Sequence, residues 1–388
     1  MEQKNEKDRP YQGFEQGPIR PPSEAASLLV RVTRNCPWNR CAFCPVYKEA
    51  RFSLRPVEHV KNDIDAVAGH LSVLFKMAQK PNGITQEALQ GLAQNLAPFE
   101  RTAFAAAVSW YANGMESVFL QDANSLVIKP ADLVEILTHL RKRFPWIKRV
   151  TSYARSHTIA RISDDDLSAI SRAGLNRIHI GMESGSDKVL ALVKKGTTKE
   201  QHVIAGQKVK RSQMELSEYV MPGLGGKALS REHALETADA LNRINPDFIR
   251  LRSLAIPANI PLAEMVRQGT FIPLSDVAVA EEILLFLESL SGIQSVIKSD
   301  HVLNLFEDLE GTLPEDKQKM TAIVRSFLAL SPDERTVYQV GRRLMLFSGL
   351  ADMADSERVR RTREVMERLS ITPENVDATI QRLMQQFI

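Results

Sequence analysis

Three cysteines stand within nine residues of this chain, in the segment Cys36-Pro37-Trp38-Asn39-Arg40-Cys41-Ala42-Phe43-Cys44, and its 388 residues contain no other. An odd, clustered set does not make a disulfide framework. In a reducing compartment such a set reads as metal binding or redox chemistry. Three thiolates can bind three irons of a cubane and leave the fourth iron open, whereas four protein ligands would close it. The alternative is a zinc knuckle completed by a histidine. Structural zinc takes four protein ligands in short paired spacings, and the next histidine is only at His59.

The elements around the loop favour the cluster over zinc. Leu28–Val32 reads as a strand that runs straight into the cysteines, and Val60, Ile64, Val67, Leu71 and Leu74 carry helical periodicity after them. From Ser117 onward strands and helices alternate, with strands expected near 117–120, 149–154, 177–182, 216–221 and 247–254. This alternation predicts an α/β fold, a partial (β/α)6 barrel of parallel strands with a mainly helical C-terminal region. The expected domains are an irregular arm over 1–26, the partial barrel over 27–260 and the helical region over 261–388. Functional side chains belong at the C-terminal ends of such strands, which is where the cysteine loop lies.

Alternation along the strands selects the cavity-facing residues. On the strand at 247–254, apolar Ile249 and Leu251 face outward, which turns Phe248, Arg250 and Arg252 inward. Two inward arginines, Arg252 foremost, suit an anionic substrate or a carboxylate. A structural ion pair with Glu218 or another acid explains them equally well. On the strand at 177–182, His179, Gly181 and Glu183 face in. Thr151, Tyr153 and Arg155 share a face of the preceding strand. If the reaction needs a hydrogen-atom donor, the cysteines are taken by the cluster, and Tyr153, Tyr219 or Tyr47 is the candidate.

Composition sets the outer limits. Hydrophobic residues make up 44% and charged residues 25%, as in an ordinary globular protein. A net charge of +3 is too small for a nucleic-acid footprint. The polar N-terminus carries no secretory h-region, and no stretch is apolar enough to span a membrane. The expectation is a cytoplasmic protein that binds neither nucleic acid nor membrane.

With these residues in place the chain resembles the radical S-adenosylmethionine (radical SAM) superfamily. That family spaces its cysteines CxxxCxxC with an aromatic before the last; here Phe43 is the aromatic, and the first gap is one residue longer. The resemblance implies a [4Fe–4S] cluster on Cys36, Cys41 and Cys44. It implies S-adenosylmethionine as the second cofactor, cleaved to a 5′-deoxyadenosyl radical that takes hydrogen from a small, anionic substrate. Phe43 would pack near the adenine. Asp122 or Asn124, in Gln121-Asp122-Ala123-Asn124, would accept from the methionine amino group. Glu183 and Ser184, in Gly181-Met182-Glu183-Ser184-Gly185-Ser186, would meet the ribose. Lys195 would face the carboxylate, and Gly223 and Gly225 in Met221-Pro222-Gly223-Leu224-Gly225-Gly226 would let the backbone approach the adenine. The resemblance also implies an electron donor such as flavodoxin or ferredoxin, and oxygen sensitivity. Chain layout is similar to the oxygen-independent coproporphyrinogen oxidase-like branch, although Val46 stands where that branch has a fourth cysteine. The remaining alternatives are an iron–sulfur carrier or sensor, a porphyrinogen oxidase-like activity, and a zinc-stabilised scaffold.

Overall fold

Strand β1 (Leu28–Arg31) alternates buried and half-buried residues, as one packed face of a sheet requires. The structure is a computed structural model whose described residues are 10–80 and 83–384. The start of the expected arm, residues 1–9, and the end of the helix expected over 373–387 lie outside the described residues. The described residues divide into two compact units: those within 10–39, 46–179 and 208–215 form one, and those within 40–45, 180–207 and 216–384 the other.

In the first unit β1 pairs in parallel with β4 (Ser117–Gln121), Leu28 lying opposite Val118 and Arg31 opposite Gln121. β4 pairs in parallel with β5 (Arg149–Ala154). Two short strands, β2 (Thr33–Arg34) and β3 (Ser53–Leu54), form an antiparallel ribbon at either end of the cysteine loop. Helix α1 (Val57–Ala78) buries Val60, Ile64, Val67, Leu71 and Leu74, the stripe expected from their spacing. Each such side chain contributes about 1.5–3 kcal/mol on burial. Helix α2 (Gln86–Asn95) is capped by Thr85. Helix α3 (Pro98–Ala112) packs on α1 and anchors β4 through Trp110, whose indole N–H donates to the Ser117 carbonyl at 2.9 Å. Helices α4 (Pro130–Arg143), α5 (Ser156–Ile159) and α6 (Asp164–Arg172) follow β4 and β5.

Strand β6 (Arg177–Glu183) begins in the first unit and ends in the second. It leads to α7 (Asp187–Leu192) and α8 (Lys199–Arg211), and β7 (Glu215–Val220) leads to α9 (Gly226–Ile244). β7 pairs in parallel with β8 (Phe248–Leu251), and β8 with β9 (Val296–Lys298). The short β10 (Gly311–Thr312) pairs antiparallel with β9. The sheet order is β1-β4-β5-β6-β7-β8-β9-β10, eight strands where the sequence predicts six. β9 and β10 are too short, at three and two residues, to show a period-two pattern. The rest is helical: α10 (Pro261–Arg267), α11 (Asp276–Ser289), α12 (Lys317–Ala329), α13 (Pro332–Arg343), α14 (Ser356–Leu369) and α15 (Val376–Met384). No helix among the described residues is long and apolar enough to cross a membrane.

Candidate functional site

In the first unit the chain around Cys36 is held by one carboxylate. Asp122, fully buried just past the end of β4, accepts from Arg31 Nε at 2.8 Å and Nη2 at 2.7 Å and from the Asn35 amide at 3.0 Å. Its second oxygen accepts from the Tyr47 hydroxyl at 3.0 Å. Asp122 therefore ties down the residue before Cys36 and the third residue after Cys44. Burial and the neighbouring Asp122 carboxylate push the Tyr47 hydroxyl far above its usual range, so Tyr47 acts as a donor. Asn35 and Asn39 sit at φ 64° and 45°, a left-handed conformation that asparagine tolerates best among residues with a side chain. The Asn39 amide donates to Cys36 Sγ at 3.4 Å, and its side chain donates to the Tyr47 carbonyl. Trp38 lies under the Arg155 guanidinium at 5.0 Å.

Asn124 is buried and bridges two loops, donating to Thr158 Oγ1 at 2.9 Å and accepting from the Arg155 amide at 3.1 Å. Tyr153 packs edge-on against Phe119 at 5.1 Å and lies 5.7 Å from the His179 ring. His179 is fully buried, 3.7 Å from Glu24.

In the second unit the rest of the loop is held by apolar packing. Ala42 and Phe43 join Val189, Val193, Leu224, Ile260, Leu262 and Phe271 in one buried cluster, with Cys41 and Cys44 packed against it. The Ala42 amide donates to Val193 O at 2.8 Å, and Ala42 O accepts from Leu262 at 3.0 Å. Lys195 spans the Phe43 ring at 5.6 Å and the Glu183 carboxylate at 3.0 Å. Glu183, at φ 64°, turns back toward the end of its own strand. A Cβ on Gly181 would meet Glu183 Oε1 at 2.4 Å and Lys195 Nζ at 3.1 Å, so a larger residue there would push these two side-chain ends aside. Ser184 is fully buried, 2.8 Å from His233 Nδ1. Gly223 has φ +86°, and a Cβ on Gly225 would press on Leu229 backbone atoms at 2.9 Å.

The inward arginines meet an acid that sequence reading did not select. Arg250 Nη1 lies 2.5 Å and Arg252 Nη1 3.4 Å from Asp300, and Arg252 also covers the Tyr219 ring at 4.8 Å. Burial and Arg252 lower His301 to about 4, so it is neutral at physiological pH. Two cations share one carboxylate here, which leaves a net positive charge. The alternative partner, Glu218, is on the other face, because the β7–β8 register sets Tyr219 opposite Arg250 and Glu218 opposite Ile249. Glu218 is fully buried and neither oxygen has a hydrogen-bond partner among the described residues. Burial, then Glu183, pushes its carboxyl well above the usual range. Asp300 lies in the polar stretch Ser299-Asp300-His301, far from the arginines in sequence. Glu282, Asn304 and His233 gave no sequence signal.

A cavity of about 260 Å³ lies in the same unit. Its walls include Gly223, Leu254, Val279, Arg343 and Ile380, so the helices after β10 contribute to it. Arg343 is fixed there by Asp276 at 2.9 Å.

The donor set suits an iron–sulfur cubane. None of the three cysteines is in a disulfide, and all are partly exposed. Among the described residues no three His, Cys, Asp or Glu side chains group as the ligands of one metal ion do. A cubane asks something different, one thiolate on each of three irons.

No family model matches the chain. Over 112 residues, 29% of its length, it is 25% identical to the tRNA uridine(34) acetyltransferase of Methanocaldococcus infernus, and the match spans 21% of that protein. Among solved structures it is similar to the cobalamin-dependent S-adenosylmethionine radical enzyme OxsB with aqua-cobalamin and S-adenosylmethionine bound. That likeness has 16% identity and a TM-score of 0.45, covering 93% of this chain and 53% of that one. It is also similar to coproporphyrinogen III oxidase (HemN) from Escherichia coli, named as a radical SAM enzyme, at 14% identity and a TM-score of 0.39. That match covers 81% of this chain and 74% of that one. The chain thus spans about a fifth of the curated relative and about half of the OxsB chain.

Proposed function

We propose that this chain is a radical SAM enzyme acting on a small, anionic substrate. The observation that carries the reading is the cysteine loop, three cysteines in nine residues, none in a disulfide, following the first strand of a mostly parallel sheet. Cys36, Cys41 and Cys44 would hold a [4Fe–4S] cluster with one open iron. The cluster would supply one electron to S-adenosylmethionine, whose cleavage gives the 5′-deoxyadenosyl radical that takes hydrogen from substrate.

The chain's own residues bind and orient. Asp122 anchors the loop on both sides of the cysteines, and Asn124 braces the next turn. Phe43 offers an apolar face for adenine beside Lys195. Glu183 offers an acceptor for ribose hydroxyls and Lys195 a cation for the methionine carboxylate; Ser184, expected beside the ribose, is fully buried with its hydroxyl engaged by His233 and the Ser186 amide. Gly223 would leave the backbone accessible to the base, whereas the Cβ position of Gly225 is filled by the Leu229 backbone, a packing role. Arg252, sharing Asp300 with Arg250, retains charge for an anionic substrate. Tyr153 is the candidate hydrogen-atom donor. Electrons would come from a flavodoxin or ferredoxin.

The test is formation of 5′-deoxyadenosine. Protein purified without oxygen, reconstituted with iron and sulfide, is given S-adenosylmethionine and dithionite. Wild type forms 5′-deoxyadenosine and Cys41→Ala forms none. A cluster-loaded wild type that binds S-adenosylmethionine and leaves it intact is a carrier or sensor instead.

A further inference from the structure

Glu282 on α11 is a buried carboxylate that none of the roles above uses. It is 4% exposed and accepts from the Gly223 amide at 2.7 Å and from the Ser230 hydroxyl at 2.6 Å. Beside it, on α9, is His233. His233 Nε2 lies 3.1 Å from the Met221 carbonyl, which can only accept, so Nε2 carries the proton. His233 Nδ1 then accepts from the Ser184 hydroxyl at 2.8 Å. These two buried side chains on adjacent helices therefore fix both the 183–186 segment and the 221–226 segment. Gly223 itself is left-handed at φ +86°, and its Cβ position is open, with nothing nearer than Val279 at 3.6 Å. Its conformation is held by hydrogen bonds rather than crowding: the Gly226 amide donates to its carbonyl at 3.0 Å, and Glu282 is the side chain that takes its amide. Gly223 is also a wall of the cavity of about 260 Å³.

We propose that Glu282 is a positioning residue whose carboxylate fixes the Gly223 amide and so sets the 221–226 backbone in the conformation that receives the nucleoside. The proposal rests on reading that segment as part of an S-adenosylmethionine site. It adds a pH dependence. Burial raises Glu282 to about 7, so it loses its proton across the neutral range. Among the described residues the titratable group facing it is His233, 3.7 Å away, which burial keeps neutral down to about pH 4. An ionised acceptor makes roughly twice as strong a hydrogen bond as a neutral one. The grip on Gly223 therefore tightens as pH rises from 6 to 8.

The experiment measures S-adenosylmethionine binding to cluster-loaded protein by equilibrium dialysis at pH 6, 7 and 8. Amide exchange of the 221–226 peptide is followed by mass spectrometry in the same samples without ligand. Wild type should bind several-fold more tightly at pH 8 than at pH 6. Glu282→Gln keeps a carbonyl acceptor but cannot titrate, so its affinity should stay flat with pH. Glu282→Leu should bind roughly tenfold or more weakly at pH 8, the loss of one hydrogen bond to a charged group, with faster exchange at 221–226. Equal affinity and equal exchange in wild type and Glu282→Leu overturn the proposal. If wild type does not bind S-adenosylmethionine, the cofactor reading fails. The exchange comparison then decides by itself whether Glu282 holds Gly223.

Discussion

The two units secure their parts of the cysteine loop by different physics. In the first, Asp122 receives four donor contacts from Arg31, Asn35 and Tyr47, so a buried charge is fully satisfied. In the second, Ala42 and Phe43 are held by apolar packing, and charge elsewhere in that unit is left incompletely matched. Arg250 and Arg252 share one acid, Glu218 has no hydrogen-bond partner among the described residues, and Glu282 titrates near neutrality. A buried network with every donor paired gives rigidity. Unmatched charge costs stability and supplies groups that a ligand can complete.

Mutations that remove each kind of support sharpen this contrast. The largest effect is expected at Asp122→Ala, which strands Arg31, the Asn35 amide and the Tyr47 hydroxyl. Denaturant unfolding should show a loss of about 3–5 kcal/mol, together with reduced iron uptake. A loss below about 1 kcal/mol would mean the network is not what holds the loop. Phe43→Ala should cost about 3 kcal/mol through its cavity, and should weaken S-adenosylmethionine binding as well. Arg250→Met should cost about 2 kcal/mol. It breaks a pair whose acid is 25% exposed and keeps Arg252 nearby, so the full penalty of a buried break does not apply.

The smallest effect, and the one that separates matched from unmatched charge, is Glu218→Gln. Its folded pKa is raised, so the protonated form is the favoured one in the fold. Wild type then loses stability as pH rises from the unfolded carboxyl value toward the folded one. Glu218→Gln should match wild type in acid and exceed it in alkali. Melting temperatures that stay parallel across pH would show that Glu218 is solvated or paired.

Local patterns made much of this legible in advance. The cysteine spacing, the helical stripe of α1 and the alternation of strands with helices are each set by neighbours in sequence. The links that complete the site are not. Asp122 meets Asn35 and Tyr47 across 87 and 75 residues, and Arg250 meets Asp300 across 50. Sequence reading selected Asp122 as an acceptor for an ammonium group; its place as the anchor of the loop follows only from the fold. Glu218 was a natural partner for the arginines by composition, but strand register turns it to the opposite face. Glu282 gave no signal, because a glutamate within a helix looks solvent-facing until the helix is packed.

The central claim is an iron–sulfur cluster with one iron open to S-adenosylmethionine. The direct measurement is the electron paramagnetic resonance spectrum of the reconstituted, dithionite-reduced protein, recorded before and after adding S-adenosylmethionine. The account predicts a reduced [4Fe–4S] signal that changes shape on addition and is absent from Cys36→Ala, Cys41→Ala and Cys44→Ala. A protein that takes up zinc in place of the cluster, or a cluster signal that ignores S-adenosylmethionine, would contradict it.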